Sequence, residues 1–228
     1  MILAAWSWQR NEVWRDPVRL WTDTASKSPN KARVHTNLGK VLLESGETAG
    51  ALAAYQRAFA LDPHTVEPLN AQATICLDYV GDIAAARAIL DRVLRLAPSY
   101  LPARNNLGVA QIRAGELDAA AATFEGVLRH DPENPDATYN LAAVQVNAKR
   151  YARAQELLES GLRLWPGHTR MRALLGLVHV AQGDLQGADR VLAPAVAMAP
   201  RDRMIAAVQV EIARRRRIGT RERNASDP

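Results

Sequence analysis

Apolar residues recur three and four positions apart along most of this chain, in blocks of about a dozen that come in pairs. Val34, Leu38 and Leu42 mark one block, and Leu52, Tyr55 and Phe59 mark the next. That spacing predicts amphipathic helices. Each pair closes on a proline, at 63, 98, 132, 166 and 200, with an earlier proline at 29; the steps are 34, 35, 34, 34 and 34. Inside each pair a glycine marks the turn, at 46, 81, 115 and 183, with Lys149 in the remaining position. Glycine turns a chain without steric penalty and proline stops a helix, so the punctuation agrees with the periodicity. The pattern predicts five helix pairs at 32–65, 67–100, 101–134, 135–168 and 169–202, with residue 66 as the single insertion. A repeat of this length built from two helices predicts a solenoid, in which each repeat packs on its neighbours.

Within each repeat, numbered from its first residue, small and large positions agree between copies. Positions 7 and 8 read Leu38-Gly39, Ala73-Thr74, Leu107-Gly108, Leu141-Ala142 and Leu175-Gly176. The second helix carries Ala51, Ala86, Ala120, Ala154 and Ala188 at position 20, and Tyr55, Leu90, Phe124, Leu158 and Leu192 at position 24. Small residues at 8 and 20 let the two helices (A and B) approach, and the large residue at 24 fills what is left. Pro194 lies inside the last B helix and predicts a bend there.

These slot types resemble the tetratricopeptide repeat (TPR). The resemblance implies an all-α, right-handed superhelical solenoid of antiparallel helix pairs that binds protein or extended peptide in a concave groove. It also implies that A-helix positions 2, 5, 6, 9, 12 and 13 face that groove. On this register the groove residues are Arg33, Asn37, Lys40, Gln72, Asn105, Asn106, Val109, Arg113, Tyr139 and Asn140, joined by Arg170 and the apolar Ile75, Ile112, Val146 and Leu177. Position 6 reads Asn37, Gln72, Asn106, Asn140 and then Leu174. A carboxamide donates and accepts at once, so a row of them suits a peptide backbone. The row resembles the asparagine ladder of O-linked N-acetylglucosamine transferase; the alternative is that these side chains pack between repeats. The carboxylate clamp of chaperone-binding relatives needs basic residues where Pro68 and Pro102 stand, so that pattern is not met.

The two ends differ from the array. Residues 16–31 resemble the second half of a repeat, with Trp21 in the slot of Tyr55 and Phe124 and Pro17 at the first helical position. Trp6, Trp8 and Trp14 crowd the start. Tryptophan favours the membrane–water interface, which makes Trp6 and Trp8 candidate membrane-proximal residues. The stretch from Trp8 to Gly39 also resembles the segment between the last membrane span and the TPR array in O-mannosyltransferase-like (TMTC-type) proteins. That resemblance implies an extracytoplasmic (periplasmic) array beside a bilayer, or the accessory domain of a multi-span glycosyltransferase; the alternative is a cytoplasmic adaptor. No run of 18 apolar residues is present, and no signal-peptide layout precedes the array. At the other end, 203–217 predicts an amphipathic capping helix with Ile205, Val208 and Ile212 on one face, followed by a disordered tail at 218–228.

Charge and chemistry change this picture little. The formal charge is +5, but residues 214–228 carry six arginines against Glu222 and Asp227, so the basic character is mostly the tail's. No aromatics interleave those arginines, and no specific nucleic-acid partner is expected. The five histidines follow no metal-ligand spacing, and no phosphate loop, dinucleotide fingerprint or nucleophile elbow occurs. The expectation is a scaffold aiding complex assembly, with no catalytic residue, metal or cofactor. Cys76, the one cysteine, sits mid-helix in an apolar setting and is expected to pack rather than react.

Overall fold

The computed structural model describes residues 16–226, with side chains described through residue 218. All regular structure among them is helical. The chain divides into two compact units, 1–114 and 115–228.

Unit 1 holds α1 (Pro17–Lys27), α2 (Ala32–Glu44), α3 (Thr48–Leu61), α4 (Glu67–Ile75), α5 (Ile83–Leu96) and α6 (Leu101–Arg113). Unit 2 holds α7 (Leu117–His130), α8 (Pro135–Asn147), α9 (Tyr151–Leu164), α10 (Thr169–Ala181), α11 (Leu185–Met198) and α12 (Arg203–Ser226). Neighbouring helices pack in chain order within each unit, so every apolar stripe is covered by the helix before or after it. The alanines at position 20 are all fully buried, as are Leu90, Phe124 and Leu158 at position 24. Gly39 shows why position 8 is small. A Cβ there would lie 2.8 Å from the Tyr55 ring, so the tyrosine occupies the volume a side chain would need.

The turn from A to B helix has one backbone recipe. Glu47 N–H donates to the Leu42 carbonyl (2.8 Å), Arg150 N–H to Gln145 (2.8 Å) and Asp184 N–H to His179 (2.9 Å), each across five residues. The residue before the donor is left-handed: Gly46 at φ 87° and Gly183 at φ 84°. Lys149 takes the same conformation at φ 57° without glycine's freedom, which costs about 1–2 kcal/mol. The fold therefore imposes the left-handed turn whatever residue stands in it.

The repeat at 66–100 departs from this recipe and corrects the register read from sequence. Its equivalent bond runs from Asp82 N–H to the Cys76 carbonyl (3.0 Å), across six residues, and Cys76–Val80 forms a π-helical turn. The extra residue is thus absorbed at the end of the A helix and not at position 66. Residues 66–76 consequently sit one position later in the repeat than expected. Burial agrees: Pro68 and Ala73 are fully buried, as Ala103 and Gly108 are in the next A helix.

One further expectation needs restating. The terminal helix does not stop at 217; α12 runs to Ser226, and residues 218–226 are helical. Arginine and glutamate are good helix formers, and Glu211 pairs with both Arg214 (3.4 Å) and Arg215 (2.9 Å) one turn on. α11 spans Leu185–Met198 as one helix with Pro194 inside it; the ring lies on an exposed face and leaves the Arg190 carbonyl without its helical donor. Trp6, Trp8 and Trp14 lie outside the described residues. Trp21 is half-buried on α1.

Candidate functional site

The A-helix face of unit 1 is built from α2, α4 and α6. On α2, Arg33, Asn37 and Lys40 stand four and three residues apart, which aligns them along one side of the helix. Arg33 and Lys40 are exposed and Asn37 is half-buried. Among the described residues none of the three makes an intramolecular hydrogen bond or ion pair.

On α4 and α6 the same face is tied together from within. The Asn106 amide donates to Asn70 Oδ1 (3.0 Å) and to Thr74 Oγ1 (3.1 Å), linking α6 to α4. Arg113 donates to the Leu77 carbonyl and pairs with the Asp78 carboxylate, which fastens the end of α6 to the π-helical turn. Asn106 therefore acts as packing between repeats. Asn105 and Val109 are half-buried on α6.

Gln72 does not belong to this face. The π-turn shift moves it to the position held by Leu38 and Leu107 elsewhere, and it is only 8% exposed. Ile75 is likewise fully buried rather than part of a groove floor. The residue that takes position 6 is Ala71, so the row of carboxamides is broken in this repeat. The signal was available in the sequence: Ala73, not Thr74, is the small residue matching Gly39, Gly108, Ala142 and Gly176.

The A-helix face of unit 2 is aromatic. Tyr139 on α8 carries the Arg170 guanidinium 4.2 Å above its ring and stacks against His168 at 6.3 Å. Its hydroxyl reaches Met204 Sδ on α12 (3.8 Å). Three successive helices, α8, α10 and α12, thus meet through one side chain. Asn140 lies half-buried beside it on α8.

Three of the five histidines, His35, His168 and His179, have structural tasks. His35 Nε2 bonds the Pro29 carbonyl (2.9 Å). His168 Nδ1 caps α10 by accepting from Met171 N–H (3.2 Å); burial and then the Arg170 charge hold its pKa below the ordinary value. His179 pairs with Asp184 (3.1 Å), the N-cap of α11. Arg104 and Arg172 do for Pro98 and Pro166 what His35 does for Pro29, each donating to the proline carbonyl at 2.7 Å. This staple across the repeat boundary was not foreseen from sequence, although its spacing of six residues recurs. Burial, and then the Asp82 charge, push the Cys76 thiol up, away from thiolate reactivity. Among the described residues no group of three His, Cys, Asp or Glu side chains is placed to hold a metal. No helix among them is long and apolar enough to cross a membrane.

Profiles of the tetratricopeptide repeat match residues 32–65, 77–135, 113–164 and 146–212. Among solved structures, a tetratricopeptide repeat protein from Parabacteroides merdae superposes with a TM-score of 0.76 at 18% identity, covering 90% of this chain and 80% of that one. PilW, a type IV pilus biogenesis factor, superposes at 0.72 and 19% identity, covering 91% and 96%. At these identities the likeness establishes the fold. A stretch of 63 residues is 35% identical to Protein O-mannosyl-transferase F38B6.6 of Caenorhabditis elegans, which is 28% of this chain and 9% of that protein.

Proposed function

The chain belongs to the tetratricopeptide repeat family and is a protein-interaction scaffold; we propose that it holds an extended, acidic segment of a partner protein along α2 of unit 1. The observation that carries this is the stripe Arg33–Asn37–Lys40. Two exposed cations flank a carboxamide, and none is engaged within the described chain. On α6 the equivalents of Arg33 and Lys40 are the uncharged Pro102 and Val109, the equivalent of Asn37 is Asn106, which is bound to α4, and the cation further along, Arg113, is bound to the π-turn. A carboxamide between two cations suits a peptide backbone flanked by carboxylates. Many modest contacts on a rigid surface give binding without catalysis, and no catalytic step is assigned to this chain.

The test is fluorescence anisotropy with a panel of labelled extended peptides, acidic and basic. Acidic peptides bind in a salt-sensitive way, and the double variant Arg33→Glu/Lys40→Glu weakens them at least tenfold while helicity is retained. Equal binding by the variant refutes the site.

We also propose that the scaffold works beside a membrane, on its extracytoplasmic side, in assembling a larger complex. The tryptophan-rich start supports this. The second reading is the accessory domain of a membrane glycosyltransferase, favoured by the 63-residue similarity to an O-mannosyl-transferase. Immunoblotting of native membranes separates them: a band near 25 kDa supports the free scaffold, and a much larger one supports the fused domain. Full recovery in the soluble fraction refutes both in favour of a cytoplasmic adaptor.

A further inference from the structure

α12 is built as the A helix of a sixth repeat. Asp202 caps it by accepting from Met204 N–H (2.8 Å) and Ile205 N–H (3.0 Å). Counting from Arg203, Ile205 takes position 3 and Ile212 position 10, and both are buried against the preceding pair. Those positions are buried by the previous repeat in Ala103 and Ala110, and in Met171 and Val178.

Position 8 is where α12 differs. In the other A helices it holds a small, buried residue: Gly39, Ala73, Gly108, Ala142 and Gly176. In α12 it holds Val210, which is 68% exposed. Leu141 and Leu175 are buried at position 7, whereas Gln209 is exposed there. On the face that a B helix would cover, α12 exposes Val210, Ala213, Arg214, Arg217 and Ile218. This face is apolar with a cationic rim. Arg216, on another side of the helix, is turned back to Asp189 of α11.

We propose that this face docks an amphipathic helix with acidic edges, supplied by a partner protein, which packs where a B helix packs in the other repeats. The rim charge selects the occupant: carboxylates along the incoming helix face Arg214 and Arg217. A second copy pairing through its own α12 would set the same arginines against each other, which like-charge repulsion disfavours. Valine in place of glycine or alanine also sets a size rule. The incoming helix needs a small residue opposite Val210, where the B helices of this chain place a large one.

The probe is a synthetic helical peptide with the α7 sequence 117–130, in which Phe124 is replaced by alanine and Arg129 and His130 by glutamate. Titration into the full chain is read by anisotropy and by sedimentation. Saturable binding is expected, weakened at least tenfold by Val210→Asp and by Arg214→Glu/Arg217→Glu, and left unchanged by Arg33→Glu/Lys40→Glu. Val210 is exposed, so its variant keeps the fold, and circular dichroism checks this. Absence of binding to the wild-type chain overturns the proposal. So does equal binding by the α12 variants, or wild-type self-association that Val210→Asp abolishes. Loss of acidic-peptide binding at α2 with this result intact would sink the α2 site alone.

Discussion

The A-helix faces of the two units solve the same packing problem with different chemistry. In unit 1 the seam between α4 and α6 is polar, held by Asn106, Asn70 and Thr74, with Arg113 reaching Asp78. In unit 2 the seam across α8, α10 and α12 is aromatic, held by Tyr139 under Arg170 and against His168 and Met204. A hydrogen-bonded seam fixes register, since each donor has a named acceptor; an aromatic seam supplies buried area and tolerates small slips. The contrast teaches that position 5 or 6 of a repeat is not a recognition position by default. Where its side chain is spent on the neighbouring helix it is not free for a partner, and this is why the proposed site falls on α2.

Removing the aromatic seam has the largest expected effect. Tyr139→Ala deletes contacts to three helices and should lower stability by about 2 kcal/mol, seen as a reduced denaturant midpoint. A loss as small as that of a surface substitution would mean that Tyr139 does not organise unit 2. The polar seam should yield less. Asn106→Ala leaves Asn70 and Thr74 half-exposed to water, and the expected cost is about 1 kcal/mol. The variant should leave peptide capture at α2 intact; a tenfold loss of capture would restore Asn106 to a binding role.

The smallest effect is a pH dependence confined to unit 2. His168 is an acceptor in its cap, and its pKa lies below the ordinary 6.5. The unfolded chain therefore binds the proton more readily, so the stability His168 contributes is present above pH 6.5 and declines as pH falls below it. Protection factors of the amides at the start of α10, relative to intrinsic exchange at each pH, should fall between pH 7 and 5.5, and His168→Asn, which keeps a cap, should flatten that slope. An equal fall in α2 would show that the effect is not His168's.

Much of the fold was legible because small and large residues recur at matched positions five times over. Proline and glycine marked the repeats but misplaced one residue within them. Gly81 falls at the expected distance from Glu67, so counting from punctuation put the extra residue at 66, and only the buried phase of Pro68, Ala73 and Ile75 reveals the π-turn. That single displacement is why the sequence register places Gln72 in the groove while the structure buries it. The tail was misread for a different reason: its lack of apolar periodicity says nothing about a helix that arginine and glutamate sustain by themselves. The intramolecular engagement of Asn106 and Arg113 was not legible either, because it depends on which side chain of α4 faces which side chain of α6.

The π-turn at 76–80 has a bearing on how such an array changes over generations. A one-residue insertion in a helix normally rotates everything after it by about 100°. Here the added residue bulges outward, leaving Tyr79 and Val80 on the surface, and the backbone re-enters the next hairpin in phase. A gain of one codon is thus quarantined within five residues, and the downstream repeats are inherited without recoding.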